Sequence, residues 1–214
     1  MAVVAQEMGT NSYRTLAGEG FAELREKASR FMAYAFHIAD EEAFRRKRDQ
    51  ITAKHPSARH ICHGWVLGAT GERYRAFDAG EPNGSAGKPI LRQLQALQLT
   101  HAAVVVVRYF GGTLLGKAGL ARAFGAAAKE ALAQCPIEER RAMQRLRLYC
   151  GYAGVEQVKH LLAAAGGELM YAEYGTDCKL EIRAPLDMLP GLAEQWARLG
   201  VEAEDLSGTG HTAI

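Results

Sequence analysis

Four consecutive valines, Val104 to Val107, constrain this chain more than any other stretch. A run so short and so β-branched suits a buried strand and not a helix. Arg108-Tyr109-Phe110 ends it with a cation and two rings, Gly111-Gly112 turns the chain, and Gly116 and Gly119 keep the return path free of side chains. From about Lys117 the period becomes helical, with Leu120, Phe124, Ala127, Ala131 and Leu132 three or four residues apart. A strand feeding a glycine-rich loop that opens a helix aims backbone N–H groups and a positive helix end at one spot, which suits an anion, most simply a phosphate. A tight strand-to-helix turn that holds no ligand fits the same residues.

With 214 residues the chain has room for one large or two small domains. No apolar run approaches membrane-spanning length, and the first residues lack a basic-then-apolar signal pattern, so a cytoplasmic protein with no membrane partner is expected. Cys62, Cys135, Cys150 and Cys178 are scattered with no close pair, as buried free thiols would be. Charge is uneven. Residues 1–136 hold 18 Lys+Arg against 12 Asp+Glu, a balance of +6, whereas residues 137–214 hold 8 against 12, a balance of −4. Only the first part favours a polyanion.

The pattern divides at Pro136, into a domain over 1–136, a second over 137–207 and a flexible tail over 208–214. Residues 1–18 show no clear period and read as a loose arm. Phe31–Ile38 reads as a strand, and Asp40 as the N-cap of a helix to about Lys54. That helix carries Arg45-Arg46-Lys47-Arg48, which fits a solvated surface or an RNA contact. Strands are expected over Ile61–Gly68 and Tyr74–Asp78. A second glycine-rich loop, Gly80 to Pro89, then leads into a helix with Pro89 as its first residue. Beyond Pro136 the hydrophobic pattern spells β-α-β-β-α-β, the split βαβ or ferredoxin-like arrangement, with Met188 and Trp196 in its core.

The chemistry-bearing residues gather on the two glycine-rich loops. Gly111-x4-Gly116-Lys117-Ala118 is one residue short of a P-loop, because Ala118 lacks the hydroxyl that would ligate Mg²⁺. The other loop offers Asp78, Glu81, Asn83 and Ser85; its two carboxylates suit a cation, acid–base work or the capping of nearby N–H groups. His60-Ile61-Cys62-His63 lacks the second ligand pair that zinc needs, so no metal site, cofactor or catalytic residue is assigned. Lys88, Arg92, Arg108, Lys117 and Arg122 form one basic patch if the loops adjoin, with Gly111, Gly112 and Gly116 supplying amides and Tyr109 and Phe110 rings that fit either the stacking of a base or a place in the core.

GEPNGSAGKPIL from Gly80, followed by VVVVRYFGGTLLGKAGLARAF, resembles the YigZ/IMPACT family, and the similarity runs over the whole chain, including His60-Ile61-Cys62. The resemblance implies an α+β protein. Its N-terminal domain would be of the ribosomal protein S five second-domain type, a β-sheet with helices on one face. Its C-terminal domain would be ferredoxin-like, similar to domain V of the translocation factor. It further implies a link to regulation of translation, with RNA or a ribosomal surface as partner and no secure catalytic activity. Three positions depart from the family pattern: Ala79 follows Asp78 where a second acid is usual, Ala118 replaces a glycine, and Lys117 adds a charge. The expected function is a non-catalytic RNA- or ribosome-binding factor. The alternatives are a phosphate-ester or nucleotide-binding enzyme built on the glycine-rich loops, and a module that docks a protein of the translation apparatus.

Overall fold

The computed structural model describes residues 12–206, so most of the expected arm and the tail after Leu206 lie outside the described residues. These divide into two compact units, one spanning Tyr13–Arg140 and the other running on from Arg141. The first holds β1 (Ser12–Leu16), β2 (Gly20–Glu26), β3 (Ser29–His37), α1 (Glu41–Lys54), β4 (His60–Leu67), β5 (Arg73–Phe77), α2 (Gly87–Ala96), β6 (Ala102–Tyr109), α3 (Gly116–Ala133) and β7 (Ile137–Arg141). β1 corrects the expectation of a loose arm through residue 18; it pairs with β7 as a two-stranded ribbon. β1 and β7 are short and mixed in pattern, and β2 carries few large apolar residues, so none of the three stands out from the sequence. None of the described helices is long and apolar enough to cross a membrane.

The valine run lies at the centre of a five-stranded sheet of order β2-β3-β6-β4-β5 in which every neighbouring pair is antiparallel. Successive residues of β6 face opposite sides, so a run of buried valines requires a cover on each. Val104 and Val106 pack with Phe31, Leu94, Leu120 and Phe124 beneath α2 and α3. Val105 and Val107 pack with Phe36, Trp65 and Leu67, and with Phe44 and Ile51 of α1. The helices therefore occupy both faces, not the single face implied by the family resemblance. α1 is the helix responsible, held at its start by Asp40, whose Oδ1 accepts from the Ala43 N–H at 2.7 Å.

Two crossovers share this sheet. β3 and β4 flank β6 and run parallel to each other through α1; β5 and β6 flank β4 and run parallel through α2. Rotation in the plane of the sheet superposes one crossover on the other, except that their helices lie on opposite faces. The two therefore have opposite hands, and one is the left-handed form that sterics normally disfavour.

The second unit contains β8 (Met143–Gly151), α4 (Val155–Ala164), β9 (Glu168–Glu173), β10 (Asp177–Pro185), α5 (Leu189–Arg198) and β11 (Glu202–Asp205). Its sheet has the order β11-β8-β10-β9, antiparallel throughout, which is the expected β-α-β-β-α-β chain path. Leu148, Leu180 and Ile182 form its core with Val158, Leu162 and Trp196 from the helices, whereas Met188, expected there, is exposed in the turn before α5. Gly166, at φ +77°, ends α4, and the Gly167 N–H returns to the Leu162 carbonyl at 2.8 Å.

One close helix-to-sheet approach runs through Gly64 of β4, where an added Cβ would stand 2.9 Å from the Leu91 backbone nitrogen. Gly64→Ala should push α2 off the sheet and cost about 1–3 kcal/mol, read as a lower urea midpoint at unchanged m-value.

Candidate anion-binding cleft

The loop after β5 is organised by one carboxylate. Asp78 Oδ1 accepts from the Gly87 N–H at 2.8 Å and the Ala86 N–H at 3.0 Å, and Oδ2 from the Gly84 N–H at 2.9 Å. Burial works against the charge on Asp78. The three N–H groups and the neighbouring Lys88 outweigh it and hold the carboxyl below the usual aspartate range. The first amides of α2 are thus consumed within the protein, because Ala86 has no side chain with which to cap them. The helix starts two residues before Pro89, and Gly87 is the residue that fits, since a Cβ there would stand 2.3 Å from the Phe77 nitrogen.

The second carboxylate of this loop has a different partner. Both oxygens of Glu81 accept from Nη1 of Arg108, at 2.7 and 2.8 Å, and the two residues are 7% and 6% exposed. Arg108 is therefore not a surface cation of a basic patch; the register of β6 turns it inward beneath the loop. Its guanidinium carbon lies 5.6 Å from the Phe31 ring centroid and 5.4 Å from that of Phe110, and its Nε finds no hydrogen-bond partner among the described residues. His60 donates from Nδ1 to the Ala79 carbonyl at 3.0 Å, since a carbonyl only accepts, and the same nitrogen lies 3.8 Å from Glu81 Oε1. The Cys62 thiol donates to the Asp78 carbonyl at 3.0 Å; burial first, then Glu81 and Asp78, push its pKa upward, so it is no nucleophile.

Above this floor opens a cleft of about 720 Å³, lined on one side by Gly80-Glu81-Pro82 with Arg59 and His60, and on the other by Tyr109-Phe110 and Leu114 to Lys117. The two glycine-rich loops therefore adjoin. α3 begins at the cleft wall with Leu115 at its N-cap and no side-chain cap, so its first turn lines the cleft with its leading N–H groups uncapped by any side chain among the described residues. Lys117 and Arg59 are exposed, Phe110 is 53% exposed and Leu114 is 82% exposed. Tyr109 is committed elsewhere: its hydroxyl bonds His55 Nδ1 at 2.9 Å, and Arg30 lies over its ring at 5.7 Å.

Of the sequence candidates, Glu81, Arg108, Tyr109, Gly116 and Lys117 line the cleft. Lys88 and Arg92 are exposed on α2 and Arg122 on α3, away from the lining. Gly112, at φ +86°, serves the turn, and the Gly111 N–H donates to Ser29 Oγ at 3.2 Å. Ser85 closes a turn onto the Pro82 carbonyl at 2.6 Å, while Asn83 is exposed. Arg59 and Leu114 were missed. A lone cation before a strand carries no periodic signal, though Leu114 stands beside the glycine turn as an apolar residue with no helical partner. No group of three or more His, Cys, Asp and Glu residues suited to a metal occurs among the described residues. The antiparallel neighbours of β6 also deny Gly111–Ala118 the parallel-sheet setting of a P-loop.

Asp78→Asn should cost about 1–3 kcal/mol at pH 7. The folded-state pKa of Asp78 is depressed, so its contribution is complete above the unfolded aspartate range and is lost as pH falls through the folded value. The gap in Tm between wild type and variant should accordingly close below about pH 4. Glu81→Gln should cost about 3–5 kcal/mol by stranding Arg108, and the double variant Glu81→Gln, Arg108→Met should be more stable than Glu81→Gln alone, as denaturant titration will show.

Comparison with known proteins agrees over most of the chain. The sequence model of the Impact N-terminal domain matches residues 27–132. The IMPACT family member YigZ of Escherichia coli (strain K12) is 35% identical over 161 residues, covering 74% of this chain and 79% of that protein. The IMPACT family member YvyE of Bacillus subtilis (strain 168) is 30% identical over 171 residues, covering 80% and 79%. A crystal structure of a hypothetical protein superposes with a TM-score of 0.73 at 29% identity, over 92% of this chain and 98% of that one. With both the glycine-rich loops and the cleft between them inside the matched region, the chain belongs to the IMPACT/YigZ family.

Proposed function

We propose that this IMPACT family member is a cytoplasmic, non-catalytic RNA- or ribosome-binding factor linked to regulation of translation, and that its N-terminal cleft receives one nucleotide of an unpaired strand. The observation that carries this reading is the uncapped start of α3 opening into a cleft beside Lys117 and Arg59. A phosphate there meets free N–H groups, the positive end of an 18-residue helix and two exposed cations. The half-exposed Phe110 ring offers a face on which a base stacks, and stacking of this kind accepts any base. In this reading the N-terminal unit has the ribosomal protein S five second-domain fold, which the pair of crossovers of opposite hand supports. The C-terminal unit is ferredoxin-like, in keeping with its sheet order.

A phosphate-ester or nucleotide-binding enzyme is the second reading, favoured by the 3.8 Å approach of His60 to Glu81 inside the cleft. Against it, Glu81 has both oxygens on Arg108, which leaves it poorly placed to act as a base.

Fluorescence anisotropy with a short single-stranded oligoribonucleotide tests the proposal. Wild type should bind with an affinity that falls steeply between low and moderate salt as counterions are released. Lys117→Glu combined with Arg59→Glu should weaken binding by about tenfold or more and flatten the salt slope, and Phe110→Ala should weaken it with the slope retained. Binding that all three substitutions leave unchanged would refute the cleft assignment. Turnover of a nucleotide or phosphate ester, lost in Glu81→Gln, would replace the RNA reading with the enzymatic one.

A further inference from the structure

On the face of the sheet opposite α2 and α3, a second site is assembled by strand register. β5 is an edge strand, and its pairing sets Phe77 against His63, Arg75 against Trp65 and Arg73 against Leu67. Trp65 and Leu67 belong to the core beneath α1, so Arg73, Arg75 and Phe77 point to that same face. Arg45 and Arg48 of α1 reach it from above. The outcome is a notch of about 140 Å³ lined by Arg45, Arg48, Arg75 and the carboxylate Glu41, together with His63 and the rings of Phe44, Trp65 and Phe77.

We infer that this notch is a binding site for a phosphate group, held by the guanidiniums of Arg45, Arg48 and Arg75 with His63 at its floor. Two independent observations point there. First, cations from two separate elements converge on a concave spot where the acids do not balance them. Glu41 is engaged by Arg73 and lies 3.8 Å from Arg45, and Asp49 is held by Arg48 next to it in sequence. Three guanidiniums thus line the notch with one carboxylate, Glu41, which Arg73 already engages, and the Arg75 side chain has no hydrogen-bond partner among the described residues. Second, His63 is 4% exposed and its Nδ1 is buried without a hydrogen-bond partner among the described residues. A buried polar atom left in that state costs about 1–3 kcal/mol and calls for a reason.

The electrostatics agree with that reason. Burial lowers the His63 pKa to about 4, and Arg48 and then Arg75 add to the shift, so the ring is neutral near pH 7 in the empty notch. The charged groups facing it are Arg45, Arg48 and Glu41 from α1 and Arg73 and Arg75 from β5. A phosphate among these arginines would offset the field they exert, so the imidazole would take up its proton at a higher pH than in the empty notch, while burial still holds its pKa below the ordinary histidine value. Guanidiniums suit the ligand because their planar N–H forks match phosphate oxygens in pairs. The site stands whatever the cleft across the sheet binds.

Histidine-ring NMR of the full chain, titrated with inorganic phosphate at constant ionic strength, decides the matter. The His63 resonances should shift saturably, and the His63 pKa should climb from about 4 by about one unit or more at saturation. Arg75→Gln and Arg48→Gln, both at the surface, should each weaken the response by about tenfold, whereas Lys117→Gln should leave it intact. Parallel titrations with uridine monophosphate and with a short oligoribonucleotide lacking terminal phosphates separate the two sources of the group. Tighter binding of the first marks a phosphomonoester site, and of the second an RNA backbone contact. A drift that never saturates, a response the same in Arg75→Gln as in wild type, or a His63 pKa unmoved by phosphate would overturn the assignment.

Discussion

The ion pair between Glu81 and Arg108 fixes the geometry on which the cleft depends. One partner belongs to the central strand and the other to the loop that must fold over it, so the pair ties the loop to the sheet at a single point. Such a pair adds little net stability, because two buried charges give up most of their hydration. Its effect is positional: the loop has to lie over β6 for Glu81 to meet the Arg108 guanidinium. The Phe31 and Phe110 rings flanking the guanidinium recover some of the lost solvation through their π faces. Phe110 is thereby held at the rim by the residue that forms the floor.

Two helices start beside this pair, and their amides meet different fates. Asp78 is present in the loop before α2 and takes its leading N–H groups, together with that of Gly84. The turn before α3 reads Gly-Gly-Thr-Leu-Leu and contains no carboxylate, and the helix starts uncapped. An unsatisfied helix start is tolerable at the surface, where water serves it, and is also the arrangement that leaves donors free for an anion. The loop rich in polar side chains is thus a closed structural unit, and the plainer loop is the open one.

That inversion shows which parts of the molecule were legible in the sequence. The valine run of β6, the Asp40 cap of α1 and the alternation of Leu146, Leu148 and Cys150 with Arg145, Arg147 and Tyr149 each reflect local physics, and each element formed as read. The two-sided cover of the first sheet was also implicit, since four buried valines in succession cannot all face one layer of helices. What local pattern does not encode is which carboxylate finds which partner. Asp78 and Glu81 are three residues apart in similar surroundings; one caps a helix and the other pairs a cation 27 residues away. Only the return of β6 beneath the loop decides between them. The roles of Arg59 and Arg75 were hidden for the same reason, as their neighbours are supplied by other elements.

The uneven charge of the chain acquires a structural meaning from these contacts. In the second unit the outward cations of the sheet are spent on one another's strands: Arg147 bonds Glu181 and Glu204, and Arg183 lies 3.5 Å from Glu168. Its exposed face is laced shut electrostatically, despite the arginines on β8 and β10. In the first unit some cations, such as Lys88, Arg92 and Arg122, are spread over the helices, while others stand in two concave places, the mouth of the cleft with Arg59 and Lys117 and the notch with Arg45, Arg48 and Arg75. These lie on opposite faces of a single sheet, joined through β4, which contributes His60 to the first and His63 to the second. An odd spacing along a strand sends two side chains to opposite faces. The three-residue step from His60 to His63 therefore lets one strand line a concavity on each side of the sheet, and net charge alone would never have located either.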